Sequence, residues 1–521
     1  MMPSKIIFAN GELISHNPTN GQEVGRVKVT DVEDVPLMVE RARAAQGEWA
    51  TRAVSERARR LRPLADHLYD LMEPVADTIS RECGKPKVEA LSSEIFPTMM
   101  HINYLADKAA RTLRDEPLPD YWMTWLMGKR GRIVHRPYGV VGVIAPWNYP
   151  FWLMAGPALS ALVAGNAVIA KPSEFTPLSG DWLRQLVAKL TLPEGLFQMA
   201  HGDGRVGAAI VKAGVDKMVF TGSTATGRRV MADAAQSLTP VTLELGGKDA
   251  AIVLEDADLR HAATGIVWGG LTCAGQVCAS VERVYVAESV MEPFSRLVVE
   301  QVKALRVGED LERSEIGSMN NERQMAIVQR QVAEAIAHGA KVLAGGAAGP
   351  GWFFPPTVLS DVPPDVELMR AETFGPVLPI QPVKDAAEAI RLANDSVWGL
   401  TASLWTKDVG RARQLAMQLN TGVVSINDHV SAAGCPDIPW GGTKETGFGR
   451  LQGREGLMTF VTPQAITHEA LPLKRPWWYG YDRDSYRLFA GLMALLTTKS
   501  LGHKLRAVAG VLRHFDLRRL L

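Results

Sequence analysis

Short apolar runs bounded by glycine or proline recur through the middle of the chain, and segments of helix length separate them. Strands that are apolar on both faces and alternate with helices are typical of a parallel sheet covered on both sides. The runs fall into two series, which predicts two α/β domains in tandem. The first series comprises residues 140–145, 167–170 and 218–220, and the second comprises residues 250–254, 281–286 and 422–427.

The stretch before these runs has helical periodicity. In residues 31–80 apolar positions recur three and four residues apart, and residues 85–113 continue the pattern. The acidic, proline-containing segment 115–120 then interrupts it. Residues 121–138 carry aromatic and basic side chains, and we expect a β-ribbon or hairpin there, outside the main sheet.

The C-terminal extension differs in charge from the rest of the chain. Residues 465–521 contain ten Lys/Arg and four Asp/Glu, a net charge of +6, so the first 464 residues carry −5 of the total of +1. In a helix, Val508, Leu512 and Phe515 would share one apolar face. This basic, aromatic and amphipathic composition is typical of a helix in a membrane interface. Docking on a partner subunit and covering the entrance of a site are the alternatives.

Composition excludes several classes of protein. A chain of 521 residues is too long for one hydrophobic core, and 46% apolar with 22% charged residues is typical of globular proteins. The net charge of +1 gives no sign of a nucleic-acid partner. The four cysteines lack the spacing of a disulfide framework or a zinc site, so we expect a reducing compartment and no metal.

Hydropathy indicates a location inside the cell. The first residues lack the apolar stretch of a signal peptide, and no run reaches the ~20 apolar residues of a membrane-spanning helix. We therefore expect a cytoplasmic protein, peripheral on the inner membrane surface if the extension binds lipid.

Two residues have the chemistry of a reaction at a carbonyl carbon. Cys278 lies among small residues, which would let a substrate and backbone amides approach its sulfur. Glu244 lies between two leucines, where an apolar setting raises the pKa of a carboxyl group toward that of a general base. Taken alone, each has an ordinary alternative: a buried structural cysteine and a solvent-facing strand residue.

Two loops that follow predicted strands have groups suited to a nucleotide. Lys171 and Glu174 can bind ribose hydroxyl groups, and residues 222–227 open a helix. The second loop is not a Gly-x-Gly-x-x-Gly motif, so a tight turn before a capped helix is its alternative.

Six motifs in a single order resemble those of the aldehyde dehydrogenase superfamily, over about residues 10–465. An ordered set is far more specific than any single motif, and it favours the catalytic interpretation of Cys278 and Glu244. The motifs are Pro-Trp-Asn-Tyr-Pro at 146–150, Lys-Pro-Ser-Glu at 171–174, Phe-Thr-Gly-Ser-Thr at 220–224, Leu-Glu-Leu-Gly-Gly-Lys at 243–248, Gly-Gln-Val-Cys at 275–278 and Glu-Thr-Phe-Gly-Pro at 372–376.

The resemblance implies a hydrolytic NAD(P)-dependent enzyme that oxidises an aldehyde to a carboxylic acid. Cys278 would form a thiohemiacetal and then a thioester, Glu244 would activate water, and Asn148 would donate to the oxyanion. Glu174 would repel a 2′-phosphate, which favours NAD, although Lys171 leaves NADP as an alternative. The implied cofactor-binding residues are Trp147, Lys171, Ser173, Glu174, Gly222, Ser223, Leu245, Glu372 and Phe374.

The substrate pocket is expected around Trp152, Trp268, Val277, Ala279 and His429. Most of these side chains are apolar or aromatic, so we expect an apolar aldehyde, long-chain or aromatic, although either tryptophan could instead be a core residue. Two other functions remain open. One is an acylating enzyme that uses coenzyme A, a class that generally lacks the base at Glu244; the other is a catalytically silent binding protein on the same fold.

The fold implied by the resemblance is α/β: two Rossmann-like parallel-sheet domains, a β-ribbon oligomerisation region and a C-terminal helical extension. The family also implies a homodimer or a dimer of dimers. The expected boundaries are 1–115 with 139–245 for the NAD(P)-binding domain, 246–428 for the catalytic domain, 116–138 with 429–465 for the ribbon and 466–521 for the extension, with membrane contact through residues 475–521.

Overall fold

A computed structural model of the chain describes residues 6–118, 124, 128–470 and 478–514. The chain divides into two compact units. The main unit consists of Met1–Arg114 with His135–Thr462, and the small unit of Asp115–Val134 with Pro463–Leu521. All residues predicted to act in catalysis, cofactor binding or substrate binding lie in the main unit.

One half of the main unit is built on a six-stranded sheet. Five strands are parallel, and the sixth, Gly447–Phe448, pairs antiparallel with Val241–Glu244. The parallel arrangement brings the carboxyl ends of the strands, where Lys171 and Glu244 lie, to one edge of the sheet. In spatial order the strands are Phe197–Met199, Ala167–Lys171, Val140–Ile144, Lys217–Thr221, Val241–Glu244 and Gly447–Phe448.

The other half contains a seven-stranded sheet. Its strands are parallel except Lys341–Ala344, which pairs antiparallel at one edge. The strand Val281–Ala287 is buried along its whole length, as expected of a sheet covered by helices on both faces. In spatial order the strands are Lys341–Ala344, Thr357–Ser360, Val377–Val383, Val281–Ala287, Asp249–Val253, Thr401–Trp405 and Val423–Ile426.

Helices cover these sheets, and a small antiparallel sheet precedes them. The small sheet is formed by Ile6–Ala9, Glu12–His16 and Glu23–Lys28. The α-helices of the main unit are Val35–Ala50, Val54–Leu61, Leu64–Asp70, Met72–Cys83, Lys87–Ala90, Phe96–Thr112, Trp152–Ala164, Pro177–Val187, Gly204–Lys212, Thr224–Ala235, Leu259–Leu271, Met291–Ala304, Glu322–Ala337, Glu367–Arg370, Ala386–Asn394, Val409–Ala416 and Gly453–Met458.

The strands outside these sheets and the last two helices belong largely to the small unit. Glu116–Pro117, Lys129–Pro137 and Val461–Glu469 form a three-stranded sheet. Helices Arg483–Thr497 and Leu501–His514 pack against each other and are called the C-terminal hairpin below. Within the described residues, no helix combines the length and the apolar character needed to cross a bilayer.

The predicted fold class is confirmed, since each apolar run predicted as a strand is a strand of one of the two parallel sheets. The ribbon differs from its prediction. Of residues 429–465 only the part from Val461 joins the three-stranded sheet, and Gly447–Phe448 instead extends the six-stranded sheet. Glycines at 441, 442, 447, 449 and 453 interrupt the segment, which explains its loops and short turns. Residues 119–123 and 125–127 of the predicted ribbon lie outside the described residues.

Candidate active site

Three cavities of the main unit meet at Cys278. Their volumes are about 30, 130 and 270 Å³, and Cys278 and Leu153 line all three. Glu244 lines the two smaller cavities, and apolar side chains dominate the wall of the largest. The thiol at this junction therefore adjoins a buried carboxyl group on one side and an apolar cavity on another.

Cys278 lies in a loop with an unusual backbone. Cys273, Ala274 and Gly275 all have positive φ, at 52°, 54° and 72°. L-residues rarely adopt this conformation, and two in succession cost free energy that the surrounding packing must offset. This turn follows the helix Leu259–Leu271. Cys278 comes soon after the turn and is partly exposed to solvent.

The surroundings of the thiol favour its protonated form. Burial raises the pKa of Cys278 well above its ordinary value, and the nearby carboxyl groups of Asp249, Glu244 and Glu372 raise it further. The hydrogen bond from the Ala279 backbone amide opposes this shift by a smaller amount. A positive charge placed beside the sulfur would therefore promote the thiolate.

Glu244 is a buried carboxyl group at the end of the strand Val241–Glu244. Only 4% of it is exposed, and its Oε1 accepts no hydrogen bond from any described residue. Burial raises the pKa of Glu244 well above its ordinary value, and the charge of Arg450 offsets this only in part. A Cβ at Gly441 would lie 2.7 Å from Oε1, so glycine is required beside the carboxyl group. The group has the raised pKa of a general base.

Asn148 lies in the turn after the strand Val140–Ile144 and is 2% exposed. Its Nδ2 donates to the Gln276 carbonyl at 2.9 Å, which leaves a second amide hydrogen for another acceptor. Lys85 and Glu94, a buried ion pair, hold this turn from behind. Sequence reasoning missed both residues because they meet only through the packing of separate elements, and no local motif marks them.

The cavity of about 130 Å³ gathers most of the predicted cofactor residues. Glu372 accepts from the Gly247 amide at 3.0 Å, and burial raises its pKa to about 8. A Cβ at Gly246 would lie 2.6 Å from the Glu372 carboxylate, so a larger residue there would displace that carboxylate. Trp147 and Phe374 meet edge to face with ring centroids 5.4 Å apart. The predicted residues that line this cavity are Trp147, Gly222, Ser223, Leu245, Glu372 and Phe374.

The remaining predicted cofactor residues follow a neighbouring strand at the same edge of the sheet. Lys171 Nζ lies 3.6 Å from Glu174 Oε2, and Ser173 Oγ accepts from a backbone amide of the same turn. Two strands further along the sheet, Ser223 is the N-cap of the helix Thr224–Ala235. Its Oγ accepts from the Thr226 amide at 3.3 Å. A helix N-terminus, an ammonium and a carboxylate at one edge of the sheet supply groups for phosphate and ribose, so this edge fits a dinucleotide.

The largest cavity, called the aldehyde cleft below, has a volume of about 270 Å³. Four of the five residues predicted for the substrate pocket line it: Trp152, Trp268, Val277 and Ala279. Aromatic residues that sequence reasoning missed complete the wall, namely Phe96, Tyr149 and Trp440. No Lys, Arg, Asp or Glu belongs to the described lining. The cleft is therefore suited to an apolar substrate.

His429, the fifth predicted pocket residue, lies behind the cleft wall, which corrects that prediction. It is 1% exposed, and its Nε2 lies 2.9 Å from the Ala279 carbonyl oxygen. Burial lowers the pKa of His429 to about 4, so the ring is neutral near pH 7. The sequence favoured a position for His429 near the site, but the direction of its ring is set by packing between elements.

The cysteines and acidic residues show no metal-binding arrangement in the part of the chain that the structure describes. All four cysteines are free thiols. Among the described residues, no group of three His, Cys, Asp or Glu side chains is placed to hold a metal ion.

Comparison with known proteins connects this geometry to a family. The model named "Aldehyde dehydrogenase family" matches residues 8–466. A 4,4′-diapolycopene aldehyde oxidase from Methylomonas is 42% identical over 482 residues, covering 92% of this chain and 90% of the relative. A putative succinate-semialdehyde dehydrogenase [NADP(+)] 2 from Mycobacterium ulcerans is 36% identical over 452 residues, covering 86% of each chain.

Solved structures of aldehyde dehydrogenases have the same fold as this chain. Lactaldehyde dehydrogenase from Escherichia coli superposes with a TM-score of 0.84 at 33% identity, covering 89% of this chain and 97% of its own. A Mycobacterium tuberculosis aldehyde dehydrogenase complexed with NAD+ gives a TM-score of 0.83 at 33% identity, covering 91% and 96%. The chain therefore belongs to the aldehyde dehydrogenase family of NAD(P)-dependent enzymes.

Proposed function

We propose that the chain oxidises an apolar aldehyde to its carboxylic acid, with Cys278 as nucleophile and Glu244 as general base. The observation that carries the proposal is the junction at Cys278, where a buried carboxyl group, the predicted cofactor residues and the aldehyde cleft all adjoin one thiol. Covalent catalysis at a carbonyl carbon needs a nucleophile, an oxyanion donor and a base within one site.

The first step joins Cys278 to the substrate. The Cys278 thiol, partly exposed, gives its proton to solvent; the resulting thiolate attacks the aldehyde carbon, a carbon–sulfur bond forms, and negative charge develops on the former carbonyl oxygen. The second amide hydrogen of Asn148 and the backbone amide of Cys278 stabilise that charge. The product is a thiohemiacetal on Cys278.

A dinucleotide would be held by the residues of the cofactor cavity and the neighbouring strand edge. Glu372 would bind the nicotinamide ribose, Ser223 the pyrophosphate, and Lys171 with Glu174 the adenosine ribose. When bound, the cofactor supplies the acceptor for the hydride that leaves the substrate carbon. A thioester then remains on Cys278.

Hydrolysis of the thioester completes the cycle. Glu244 takes a proton from water, the hydroxide adds to the acyl carbon, and the Cys278 thiolate leaves. The buried setting of Glu244 gives it the raised pKa that this task needs. An intact base favours transfer to water over transfer to coenzyme A, and the complete set of groups disfavours a silent binding protein.

We propose NAD+ as the preferred cofactor, with NADP+ accepted less well. Glu174 would repel a 2′-phosphate, while Lys171, 3.6 Å away, would attract it. The compared proteins support both dinucleotides, because one structure is complexed with NAD+ and one relative is named for NADP+.

The substrate class follows from the aldehyde cleft. A semialdehyde with a distal carboxylate would find no cationic partner among its described lining residues, whereas a hydrocarbon chain would contact Phe96, Trp152 and Trp440. The Methylomonas relative is named for 4,4′-diapolycopene aldehyde, a lipophilic aldehyde, which supports an apolar substrate here.

A panel of aldehydes tests this function. Each buried methylene contributes about 0.8 kcal/mol, so kcat/KM should rise about fourfold per methylene until the cleft is filled. Succinic semialdehyde should be a poor substrate, and coenzyme A should not be required. Equal kcat/KM for short and long aldehydes would contradict the substrate class, and a requirement for coenzyme A would contradict hydrolysis.

We further propose that the C-terminal hairpin binds an anionic membrane surface from the inner side of the cell. Leu501, Leu505 and Leu512 are 72%, 64% and 73% exposed, and the extension carries a net charge of +6. Each Lys/Arg near an anionic surface contributes about 1 kcal/mol of binding. An exposed apolar face with adjacent basic residues fits the interface between headgroups and acyl chains.

Vesicle flotation tests this contact. The full chain should float with phosphatidylglycerol vesicles, less at high salt, and not with phosphatidylcholine vesicles alone. A Leu505→Glu/Leu512→Glu variant should lose at least tenfold in bound fraction. Met417→Glu, at an apolar residue of the main unit that is 87% exposed, is the matched control and should float like the parent. Equal flotation of the hairpin variant and the control would overturn the proposal.

We also propose a homodimer or a dimer of dimers. The strand Val461–Glu469 lies at one edge of the described three-stranded sheet, and edge strands are natural sites for pairing with a second copy. Light scattering after gel filtration should give two or four times the chain mass of 56.7 kDa. A monomer at micromolar concentration would contradict this.

A further inference from the structure

Two buried Lys–Glu ion pairs lie beneath the segments 148–152 and 372–374, which line the site. Lys85 Nζ lies 2.8 Å from Glu94 Oε1, and Lys248 Nζ lies 2.6 Å from Glu282 Oε2. The four side chains are at most 3% exposed. A buried ion pair is often no more stabilising than apolar side chains of equal size, so stability alone does not explain two of them.

The first pair holds the turn that carries the oxyanion donor. Lys85 Nζ donates to the Asn148 carbonyl at 2.6 Å. Glu94 Oε2 accepts from the backbone amides of Phe151 and Trp152, at 2.8 and 3.3 Å. The pair thus fixes both ends of the segment 148–152, and with it the direction of the Asn148 side chain.

The second pair holds the segment that carries Glu372. Glu282 accepts from the Thr373 and Phe374 amides, each at 2.8 Å, and Lys248 donates to Thr373 Oγ1 at 2.9 Å. Phe374 has a φ of 52°, a conformation that a bulky residue adopts only when its surroundings impose it. Without the carboxylate, the buried Thr373 amide and the partly buried Phe374 amide would lose their acceptor.

We propose that the two pairs are positioning elements with separate tasks: Lys85–Glu94 sets the geometry of attack at the carbonyl carbon, and Lys248–Glu282 sets the geometry of cofactor binding. The inference rests on the proposed function, because it assigns the two segments to the two halves of that reaction. None of the four residues touches the reacting atoms.

Hydrolysis of an activated ester separates the two tasks. A p-nitrophenyl ester acylates a thiol with release of nitrophenolate, and water then hydrolyses the acyl–sulfur bond. This reaction needs the nucleophile, the oxyanion donor and the base, but no hydride acceptor. Aldehyde oxidation needs all of these and the cofactor.

The test compares Glu94→Gln with Glu282→Gln. In Glu94→Gln, ester hydrolysis and aldehyde oxidation should both fall at least tenfold, in the same proportion, with an unchanged Kd for NAD+. In Glu282→Gln, the Kd for NAD+ should rise at least tenfold, and aldehyde oxidation should fall at least tenfold more than ester hydrolysis. The opposite pattern, or equal losses with equal Kd values in both variants, would overturn the inference.

Controls separate positioning from folding. Arg57→Met removes a buried charge that donates to the Val163 and Ala164 carbonyls, at the opposite end of the six-stranded sheet. It should lower the melting temperature without moving the ratio of the two activities. If a glutamine variant fails to fold, Lys85→Met/Glu94→Leu and Lys248→Met/Glu282→Leu leave no unpaired charge and should reproduce the two patterns. Should Cys278→Ala retain both activities, the proposed function itself fails, whatever the pairs do.

Discussion

The proposed catalytic centre buries its functional side chains, whereas the C-terminal hairpin exposes its apolar side chains. At the centre, Asn148 and Glu244 are 2% and 4% exposed, and burial is the main cause of the raised pKa values of Cys278 and Glu244. On the hairpin, Leu512 and other apolar side chains remain in solvent. The chain itself supplies the environment of the centre, whereas the environment proposed for the hairpin is a membrane surface.

This contrast predicts how each region responds to change. Substitutions at the centre should alter the chemistry in dilute solution, with large effects on rate. Substitutions on the hairpin should leave that chemistry nearly unchanged and alter only where the enzyme acts.

Removal of the thiol should have the largest effect. Cys278→Ala should lose aldehyde oxidation and ester hydrolysis by at least about a thousandfold, because no other group at the junction forms the covalent intermediate. The measurement is the initial rate of NADH formation. Cys435→Ser, at the other partly exposed thiol of the aldehyde cleft, is the control and should lose less than about threefold. Comparable losses in the two variants would contradict the role of Cys278.

Removal of the base at Glu244 should slow hydrolysis of the thioester but not the hydride transfer that precedes it. In Glu244→Gln, steady-state turnover should fall about a hundredfold or more, because water is no longer activated. One equivalent of NADH per site should still form rapidly, since hydride transfer precedes hydrolysis. Rapid mixing measures this burst. A variant that loses both burst and turnover would show that Glu244 acts before the thioester.

The pH dependence of thiol alkylation should show the buried setting of Cys278. Burial and the neighbouring carboxyl groups raise its pKa, so the thiol is protonated at neutral pH and the thiolate fraction grows as pH rises. Without cofactor, the iodoacetamide rate at Cys278 should rise about tenfold per pH unit above neutrality. Peptide mapping, with Cys278→Ala as the blank, measures it. A rate independent of pH would mean that the thiolate is already formed.

Changes on the hairpin should have the smallest effect on chemistry. The Leu505→Glu/Leu512→Glu variant should keep kcat/KM for a short, water-soluble aldehyde within about twofold of the parent. For a long-chain aldehyde presented in anionic vesicles, kcat/KM should fall about tenfold, because enzyme and substrate no longer share a surface. Equal effects on both substrates would remove the contrast between the two regions.

The sequence predicts the parts of the molecule whose signal is local. Runs such as 140–145 and 281–286 are strands because a continuous apolar sequence can be buried on both faces only inside a covered sheet. Cys278 and Glu244 were predicted as nucleophile and base because each lies in a short ordered motif. Both signals are complete within a few consecutive residues.

The parts that were missed depend on contacts between distant segments. Glu94 accepts from amides 57 and 58 residues away, and Lys248 meets Glu282 across 34 residues. His429 was expected in the substrate pocket, but its ring bonds to Ala279 from behind the wall. Neither periodicity nor a motif predicts which way these side chains point, because packing between distant elements sets their directions.

The most direct test of the central claim is to identify the atom that carries the acyl group. Glu244→Gln should be mixed with a long-chain aldehyde and NAD+, quenched, and examined by intact and peptide mass spectrometry. We predict an added mass equal to the acyl group, on the peptide that contains Cys278. NADH formation with no acyl group at Cys278, or with the acyl group on another residue, would contradict the account.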